Sequence, residues 1–222
     1  MNPAEPACPV CRCGQVGFFL NVDGRDYWRC HRCKATFVDP GQLPDRDAEK
    51  AEYDRHCNSV HDAGYRAFLA RLADPLIERL APDSRGLDYG CGPGPALAGM
   101  LTEAGHPMAT WDPIYAANPS VLHDQQYDFI TCTEVVEHMH RPAGEFERID
   151  TLLRPGGIFG LMTAFQTDDA RFANWHYRRD PTHVVFYREA TIHFIAEHLN
   201  WDCEIPAANI ALMRKPKAHP SR

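Results

Sequence analysis

The sequence has no apolar run long enough to cross a membrane. Its best candidate, residues 157–165, is about half of the roughly 18 residues that a span requires. The first residues also lack the basic and apolar regions of a secretion signal, so we expect a cytoplasmic protein without a membrane partner. Positive charge is scarce, because 23 Lys and Arg stand against 30 Asp and Glu and leave a net charge of −7. This balance disfavours non-specific binding to nucleic acid.

The composition excludes a disordered or fibrous chain. Hydrophobic residues make up 44% of the sequence and charged residues 24%, which are ordinary values for a globular protein. A length of 222 residues allows one full domain and a smaller additional module. No internal repeat or low-complexity stretch interrupts it.

Five of the nine cysteines lie within the first 33 residues. An odd number of cysteines in a reducing compartment argues against a disulfide framework and for metal binding. Cys8 and Cys11 form one C-x-x-C pair, Cys30 and Cys33 form a second, and 18 residues separate the two pairs. This spacing is typical of a structural zinc site, in which Cys13 would be a less well-placed fifth thiol. The alternative, four unliganded core thiols, would leave a short segment without a metal to hold it.

The residues around this cluster suggest three consecutive regions. Asp23 and Gly24 lie between two aromatic segments and predict a hairpin, which makes residues 1–40 a zinc ribbon. Residues 41–60 are polar and interrupted by proline, and we interpret them as a linker and lid segment. The lid would use Tyr53, His56 and Tyr65, although core packing is an equal alternative for Tyr65. Residues 61–222 form the third and largest region.

Helical and strand patterns alternate in this third region. A helix opened by Asp62 comes first. We then expect strands at 86–89, 108–112, 127–133, 157–163, 201–205 and 209–213, and helices at 95–104, 145–153 and 189–199. Strands that alternate with helices of about ten residues indicate an α/β fold with a largely parallel sheet.

A glycine loop follows the first of these strands. It reads D-x-G-x-G-x-G at Asp88, Gly90, Gly92 and Gly94. The loop is not a dinucleotide fingerprint, since Pro95 stands where the third glycine belongs, and it lacks the Gly-Lys-Ser/Thr ending of a P-loop. A carboxylate before the first glycine suits a ligand that carries positive charge better than a pyrophosphate.

These residues resemble the first motif of class I S-adenosylmethionine-dependent methyltransferases. Asp112, at the end of the next strand, is similar to the second motif, residues 127–132 resemble the fourth strand, and residues 152–157 resemble the turn before the fifth. The resemblance implies a Rossmann-like sheet, S-adenosylmethionine as cofactor, and ribose hydroxyls bound by Asp112. The implied cofactor-binding residues are Asp88, Gly90, Gly92, Gly94, Asp112, Thr133 and Glu134.

One stretch departs from the family pattern. Only 14 residues separate Asp112 from Tyr127, where the family normally fits a helix and a third strand. We therefore expect a sheet with a truncated third-strand edge, and the residues that would contact adenine remain unassigned.

A second group of polar residues follows the strand that ends at Thr133. If this turn is helical, Glu134, Glu137 and His138 share one face. The E-x-x-E-H segment resembles that of ubiquinone-pathway O-methyltransferases and small-RNA 2′-O-methyltransferases. In the latter, this motif and a later histidine hold a divalent metal, and His183 stands in the corresponding place. These four residues are our candidate catalytic and metal-binding side chains, and the metal would be Mg²⁺, Mn²⁺, Fe²⁺ or Zn²⁺. A metal-free acid–base cluster and a purely structural cluster are the alternatives.

The predicted function is therefore methyl transfer, with O-methylation of a small molecule favoured by the E-x-x-E-H resemblance. The aromatic and basic residues 174–179 lie where this fold commonly covers the acceptor. An RNA methyltransferase that docks through the ribbon is one alternative, although residues 1–36 carry five Lys or Arg against three acids and four zinc-bound thiolates would cancel that excess. A non-catalytic scaffold protein that binds the cofactor is another.

Overall fold

The structure, a computed structural model, describes most of the chain, namely residues 5–55, 59–124 and 126–217. Within these ranges ten strands form two sheets. The strands are β1 (Val16–Val22), β2 (Arg25–Cys30), β3 (Thr36–Val38), β4 (Gly86–Tyr89), β5 (Met108–Trp111), β6 (Tyr127–Thr133), β7 (Leu153–Met162), β8 (Val185–Phe186), β9 (Asp202–Ala207) and β10 (Ile210–Arg214). The α-helices are α1 (Arg46–Tyr53), α2 (Ala63–Ile77), α3 (Ala96–Glu103), α4 (Pro142–Leu152) and α5 (Glu189–His198).

The larger sheet has the strand order β5-β4-β6-β7-β10-β9. The first four of these strands run parallel, and the last two are antiparallel to their neighbours. Gly86 allows the close packing at the centre, since a Cβ there would lie 2.3 Å from the ring of Phe129. The predicted α/β class with a mostly parallel, Rossmann-like sheet is confirmed.

Helices cover the sheet in two hydrophobic clusters. One contains α2 and α3 and includes Leu72, Leu101 and Ile158, while the other contains α4 and α5 and includes Ile149 and Ile192. The predicted start of α2 is confirmed, because the carboxylate of Asp62 accepts a hydrogen bond from the backbone N–H of Tyr65 at 2.6 Å.

The β5 edge of the sheet is short, as expected from the sequence. Among the described residues between β5 and β6, a 3₁₀ turn at Pro119–Val121 and a single bridge between Asp112 and Ala116 replace the usual helix and strand. Nothing in this stretch extends the sheet beyond β5.

The smaller sheet contains the ribbon and one strand from far along the chain. Its order is β1-β2-β3-β8. Asp23 and Gly24 form the predicted hairpin turn with φ angles of 53° and 78°, the left-handed pair that a tight two-residue turn requires. β8 then pairs with β3, so the ribbon's sheet is completed by a strand from the region that we predicted to be a separate domain. The domain boundary at residue 40 stays a prediction, but the smaller sheet contains strands from both sides of it.

The segment predicted as a linker contains a helix. Asp45 caps α1 by accepting a hydrogen bond from the backbone N–H of Ala48 at 2.9 Å. Arg46–Tyr53, within the segment predicted as a linker and lid, is therefore helical, and the linker assignment itself stays a prediction. Within the described ranges, no helix combines the length and apolarity needed to cross a membrane.

Candidate functional site

A cleft opens where β4, β5 and β6 end. It consists of two adjoining cavities of about 450 and 550 Å³, which share Tyr53, Gly90, Gly92, Glu134 and His138 in their walls. The carboxyl ends of parallel strands meet at this edge, which is where open α/β sheets bind their ligands. We call two groups of its residues the glycine side (Asp88, Gly90, Gly92, Gly94, Asp112 and Thr133) and the histidine side (Glu134, Glu137, His138 and His183).

The glycine loop brings its backbone to the cleft. Gly90 has a φ of 81°, and a Cβ there would lie 2.6 Å from Val135, so only glycine fits. Gly92 has a φ of 61°, but its Cβ would meet no atom within 4 Å. The missing side chain of Gly92 therefore leaves open space in the cleft, which Gly94 also lines.

Two carboxylates of the glycine side have different surroundings. Asp112 accepts hydrogen bonds from the backbone N–H groups of Gly92, Ile114 and Tyr115 at 3.1, 2.8 and 2.9 Å, which hold it at the cavity wall. Asp88 is buried and accepts one hydrogen bond from the Thr131 hydroxyl at 2.8 Å. Burial raises the pKa of Asp88 to about 6, although the hydrogen bond from Thr131 has the opposite effect and lowers this pKa.

Thr133 also faces the cleft, at the end of β6. Its Oγ1 is buried and has no hydrogen-bond partner among the described residues. A buried hydroxyl without a partner is costly, and a polar ligand in the cavity would satisfy it. Together with Gly92 and Asp112, this atom fits a cofactor that carries hydroxyl and amino groups.

The turn after β6 is not the regular helix that would place three side chains on one face. Glu134 lies in the left-handed region with a φ of 52°, and a short 3₁₀ turn, Val136–His138, follows it. Glu134 lines the cleft, but Glu137, His138 and His183 are the three whose ligand atoms lie within 4.8 Å of one another. The condition for a shared helical face is therefore not met, and the ligand atoms that lie within 4.8 Å of one another are those of Glu137, His138 and His183.

Glu137 is completely buried below the cleft. Its two oxygens accept hydrogen bonds from the hydroxyl of Tyr177 at 2.5 Å and the hydroxyl of Thr163 at 3.0 Å. Burial and the nearby charge of Glu134 raise the pKa of Glu137 well above its ordinary value. Burial likewise raises the pKa of Glu134.

The two histidines lie edge to face, with ring centroids 4.6 Å apart. Nδ1 of His138 faces the carbonyl oxygen of Thr182 at 3.2 Å, and Nδ1 of His183 faces that of Tyr177 at 2.7 Å. A carbonyl oxygen can only accept, so Nδ1 carries the proton in both rings. In the neutral imidazoles Nε2 is then the basic atom.

Asp180 completes this side of the cleft. Its carboxylate lies 3.7 Å from Nε2 of His183, and both residues line the cavity. Burial raises the pKa of Asp180, but hydrogen bonding by Thr182 and the charge of His183 outweigh it and lower the pKa overall. Asp180 is thus a carboxylate that favours a protonated His183.

Three partners of the predicted site were not assigned a role from the sequence: Thr163, Tyr177 and Asp180. Tyr177 lies in the aromatic and basic segment 174–179, and Asp180 lies close to His183 in sequence. No sequence pattern predicts that Tyr177 contacts Glu137 or that Asp180 contacts His183. Tyr53 lies edge-on to the ring of His138 at 5.1 Å, and Tyr65 also lines the cleft. His56 lies outside the described residues.

The four ribbon cysteines converge on one point. Their sulfurs lie within 4.8 Å of one another, with Cys8 and Cys33 3.5 Å apart and Cys11 and Cys30 3.5 Å apart. Four thiolates around zinc would be separated by about 3.8 Å, so the cluster fits this ion. Cys13 lies 3.4 Å from Cys11 and 3.5 Å from Cys30, so this fifth thiol adjoins the same cluster.

Comparison with known proteins identifies the family. A family model described as "Methyltransferase domain" matches residues 61–204. The chain belongs to this methyltransferase family. The prediction of a class I, S-adenosylmethionine-dependent methyltransferase is confirmed at the level of family and fold, and the methyltransferase is an enzyme. A search of curated proteins found no match to its sequence.

Solved structures resemble this methyltransferase in fold. The 1,6-didemethyltoxoflavin-N1-methyltransferase of Burkholderia thailandensis, solved with 1,6-didemethyltoxoflavin and S-adenosylhomocysteine, is 18% identical, has a TM-score of 0.54, and aligns over 89% of this chain and 98% of its own. A chain from the Haloferax volcanii complex of the Trm112 methyltransferase activator with a methyltransferase is 13% identical, has a TM-score of 0.52, and aligns over 79% and 99%.

The alignment with the CurJ carbon methyltransferase is more limited. It has 14% identity and a TM-score of 0.42, and it covers 64% of this chain. The methyltransferase described here spans about half (51%) of the CurJ chain.

Proposed function

We propose that the methyltransferase binds S-adenosylmethionine on the glycine side of the cleft and methylates an oxygen atom of a small molecule on the histidine side. The observation that carries this proposal is that one cavity is lined both by Gly90, Gly92 and Thr133 and by His138 and His183. The bound cofactor would supply an electrophilic methyl group. The protein would hold the acceptor in line with that group, which removes most of the entropic barrier.

On the glycine side, three features support cofactor binding. The open space at Gly92 admits the ligand close to the backbone, Asp112 is oriented to accept hydrogen bonds from ribose hydroxyls, and the Thr133 hydroxyl lacks a protein partner. The buried Asp88 carboxylate supports the loop and favours a ligand with positive charge.

On the histidine side, His138 and His183 act as the general base. A hydroxyl acceptor must lose its proton as the new bond to carbon forms, and a neutral Nε2 can accept it. Asp180, 3.7 Å from Nε2 of His183, stabilises the imidazolium that results. Glu137 orients the hydroxyl of Tyr177 and does not need to reach the acceptor.

A metal-assisted reaction is the second candidate, favoured by the convergence of Glu137, His138 and His183 within 4.8 Å. A carboxylate and two imidazoles fit Mg²⁺, Mn²⁺, Fe²⁺ or Zn²⁺, and Glu134 at the cavity wall could add a further oxygen. When bound, such an ion lowers the pKa of a hydroxyl that it contacts.

The charge of the cleft favours a small molecule over RNA. Among the described residues, no Lys or Arg lines the cavity that contains the two histidines, whereas Asp88, Glu134 and Asp180 do. A phosphate in this cavity would meet these carboxylates, since the two arginines of the cleft, Arg141 and Arg148, line only the adjoining cavity. The alternative, an RNA methyltransferase that docks through the ribbon, is tested by the RNA fraction of the experiment below.

The deciding experiment follows a radiolabelled methyl group from S-adenosylmethionine into cell extract. Wild-type protein is compared with the double variant His138→Ala/His183→Ala as a blank, and the extract is separated into small molecules, RNA and protein. We expect label in the small-molecule fraction with wild type only, and ¹³C-methyl chemical shifts then distinguish O-methyl from N-methyl or C-methyl products. Label in RNA or protein would refute the small-molecule assignment. No label in any fraction, with S-adenosylhomocysteine still bound, would indicate a scaffold protein.

Chelation separates the two forms of the mechanism. Activity that is lost on chelation and restored by one of the four divalent ions supports the metal-assisted form, while activity that survives supports the metal-free base. Metal content must be measured in the same samples, so that loss of ribbon zinc is not mistaken for loss of a cleft metal.

We also propose a structural zinc ion at Cys8, Cys11, Cys30 and Cys33. The residue after each pair, Arg12 or Lys34, has a positive φ, so both pairs turn in the same way towards one point. Elemental analysis of purified protein should find one zinc per chain, and Cys30→Ser should lower that number. Full-length protein without metal whose ribbon still resists protease would contradict the assignment.

A further inference from the structure

The ribbon is joined by hydrogen bonds to the segment that carries His183. We call residues 163–188 the histidine loop. β3 pairs with β8 within this loop, and the backbone N–H of Val38 donates to the carbonyl oxygen of Val184 at 2.9 Å. The N–H of Val184 in turn donates to the carbonyl oxygen of Glu137 at 2.8 Å. One ladder thus runs from the ribbon through the histidine loop to the turn that holds Glu137 and His138.

Aromatic packing joins the same two parts. Phe172 of the histidine loop is completely buried, and its ring centroid lies 5.0 Å from that of Tyr27 and 5.4 Å from that of Phe19, both in the ribbon. Phe186 of β8 lies 6.0 Å from Tyr27. The aromatic side chains of the histidine loop therefore pack against the ribbon as well as against one another.

A buried cation forms a third connection. Arg178 is only 3% exposed, and its guanidinium donates to the carboxylate of Asp23 at 2.6 Å and to the hydroxyl of Tyr27 at 3.5 Å. Arg178 directly follows Tyr177, whose hydroxyl holds Glu137. The Thr36 hydroxyl of β3 also donates to Gln166 at 2.6 Å.

The glycine side has a different set of supports. Asp112 is held by Gly92, Ile114 and Tyr115, and Asp88 by Thr131, all within the larger sheet and its loops. These bonds join residues of the third region to one another. The two sides of the cleft therefore depend on different parts of the molecule.

From this division we infer that the ribbon is the scaffold that positions the histidine side of the cleft, so that metal occupancy of its four thiols controls methyl transfer without controlling cofactor binding. Arg178 is a positioning residue in this arrangement. The inference rests on the proposed zinc site and on the proposed role of the histidines.

The first test compares zinc-replete and zinc-depleted wild-type protein without any acceptor. Calorimetry measures S-adenosylhomocysteine affinity, and hydrogen exchange measures backbone protection in residues 172–186. We expect protection in this segment to fall at least about tenfold while the affinity stays within about threefold. Unchanged protection would overturn the inference, and so would a parallel loss of cofactor affinity.

The second test leaves the four thiols intact, so it still tests the inference if removal of zinc causes the protein to aggregate. Arg178→Met removes the buried cation, and Arg178→Lys keeps a charge for Asp23. Glu147→Gln is the matched control, because Glu147 of α4 contacts Arg12 of the ribbon through an exposed ion pair away from both the four thiols and the histidine loop.

For Arg178→Met we expect a loss of protection in residues 176–186 and a fall in kcat of about tenfold or more, with KM for S-adenosylmethionine within about twofold. Arg178→Lys should recover part of both, and Glu147→Gln should change neither. Equal exchange in Arg178→Met and Glu147→Gln would refute the scaffold. Hydrogen exchange and cofactor affinity can both be measured without a methyl acceptor. A wild-type protein that methylates nothing would therefore contradict the proposed function but not this inference.

Discussion

The glycine side and the histidine side of the cleft are assembled in different ways. Five of the six glycine-side residues lie within residues 88–112, on β4, in the loop that follows it, or directly after the neighbouring parallel strand β5. The histidine side combines Glu134, Glu137 and His138, which follow β6, with His183 of the distant histidine loop, and the ribbon supports this loop. A local motif can therefore build one wall of a site, while the facing wall requires the complete fold.

Their electrostatics differ as well. Asp112 accepts hydrogen bonds from three backbone N–H groups at the wall of the cavity, and burial raises the pKa of Asp88. On the histidine side burial raises the pKa of both Glu134 and Glu137, and the charge of Glu134 adds to this effect at Glu137. Perturbed carboxylates beside histidines are typical of sites of chemical function. We therefore expect substitutions on the histidine side to lower turnover and substitutions on the glycine side to weaken cofactor binding.

The largest expected effect is on turnover. His138→Ala and His183→Ala should each lower kcat by roughly 10²–10⁴-fold, the usual range for loss of a general base, with S-adenosylhomocysteine affinity within a few fold. Steady-state kinetics and calorimetry provide the two readouts. His176→Ala is the control, since this exposed histidine lies in the same loop. If both alanine variants keep turnover within a few fold of wild type, the histidine side is not the catalytic wall.

A smaller effect should appear in cofactor binding. Gly92 and Gly105 both have positive φ angles, 61° and 93°, and a Cβ at either would meet no atom within 4 Å. Alanine should therefore strain the two backbones alike, by roughly 1–2 kcal/mol of stability. Only Gly92 lines the cleft, so calorimetry should show a loss of S-adenosylhomocysteine affinity of about tenfold or more in Gly92→Ala and little change in Gly105→Ala. Equal affinities would remove the glycine loop from the cofactor site.

The smallest effect concerns stability and pH. The pKa of Asp88 is raised by burial from 3.8 to about 6, so its charged form is disfavoured in the fold. Its stabilising contribution is present below about pH 4 and is lost as pH rises through 6. Relative to wild type, cofactor-free Asp88→Asn should gain about 2–2.5 kcal/mol of stability between pH 4 and pH 7.5. Denaturant titrations at both pH values measure this, with the exposed Asp202→Asn as control. A difference that does not change with pH would show that Asp88 is not disfavoured as an anion.

Local signals accounted for the features that the sequence predicted correctly. The Asp23–Gly24 turn, the Asp62 cap and the glycine loop each depend on a few adjacent residues whose backbone preferences are strong. α1 was missed because most of its residues are charged and none is buried, so its sequence resembles that of a polar linker. β8 has two residues, too few for any alternation to show.

The α/β class, the hairpin, the thiol spacing and the order of the methyltransferase motifs could be predicted from residue patterns alone. These features follow from side-chain periodicity and from contacts between near neighbours. Three features became apparent only in the folded molecule: the left-handed turn at Glu134, the hydrogen bonds of Tyr177 and Thr163 to Glu137, and the pairing of β8 with β3. Such contacts join residues tens of positions apart, and their energy depends on packing that no local pattern records.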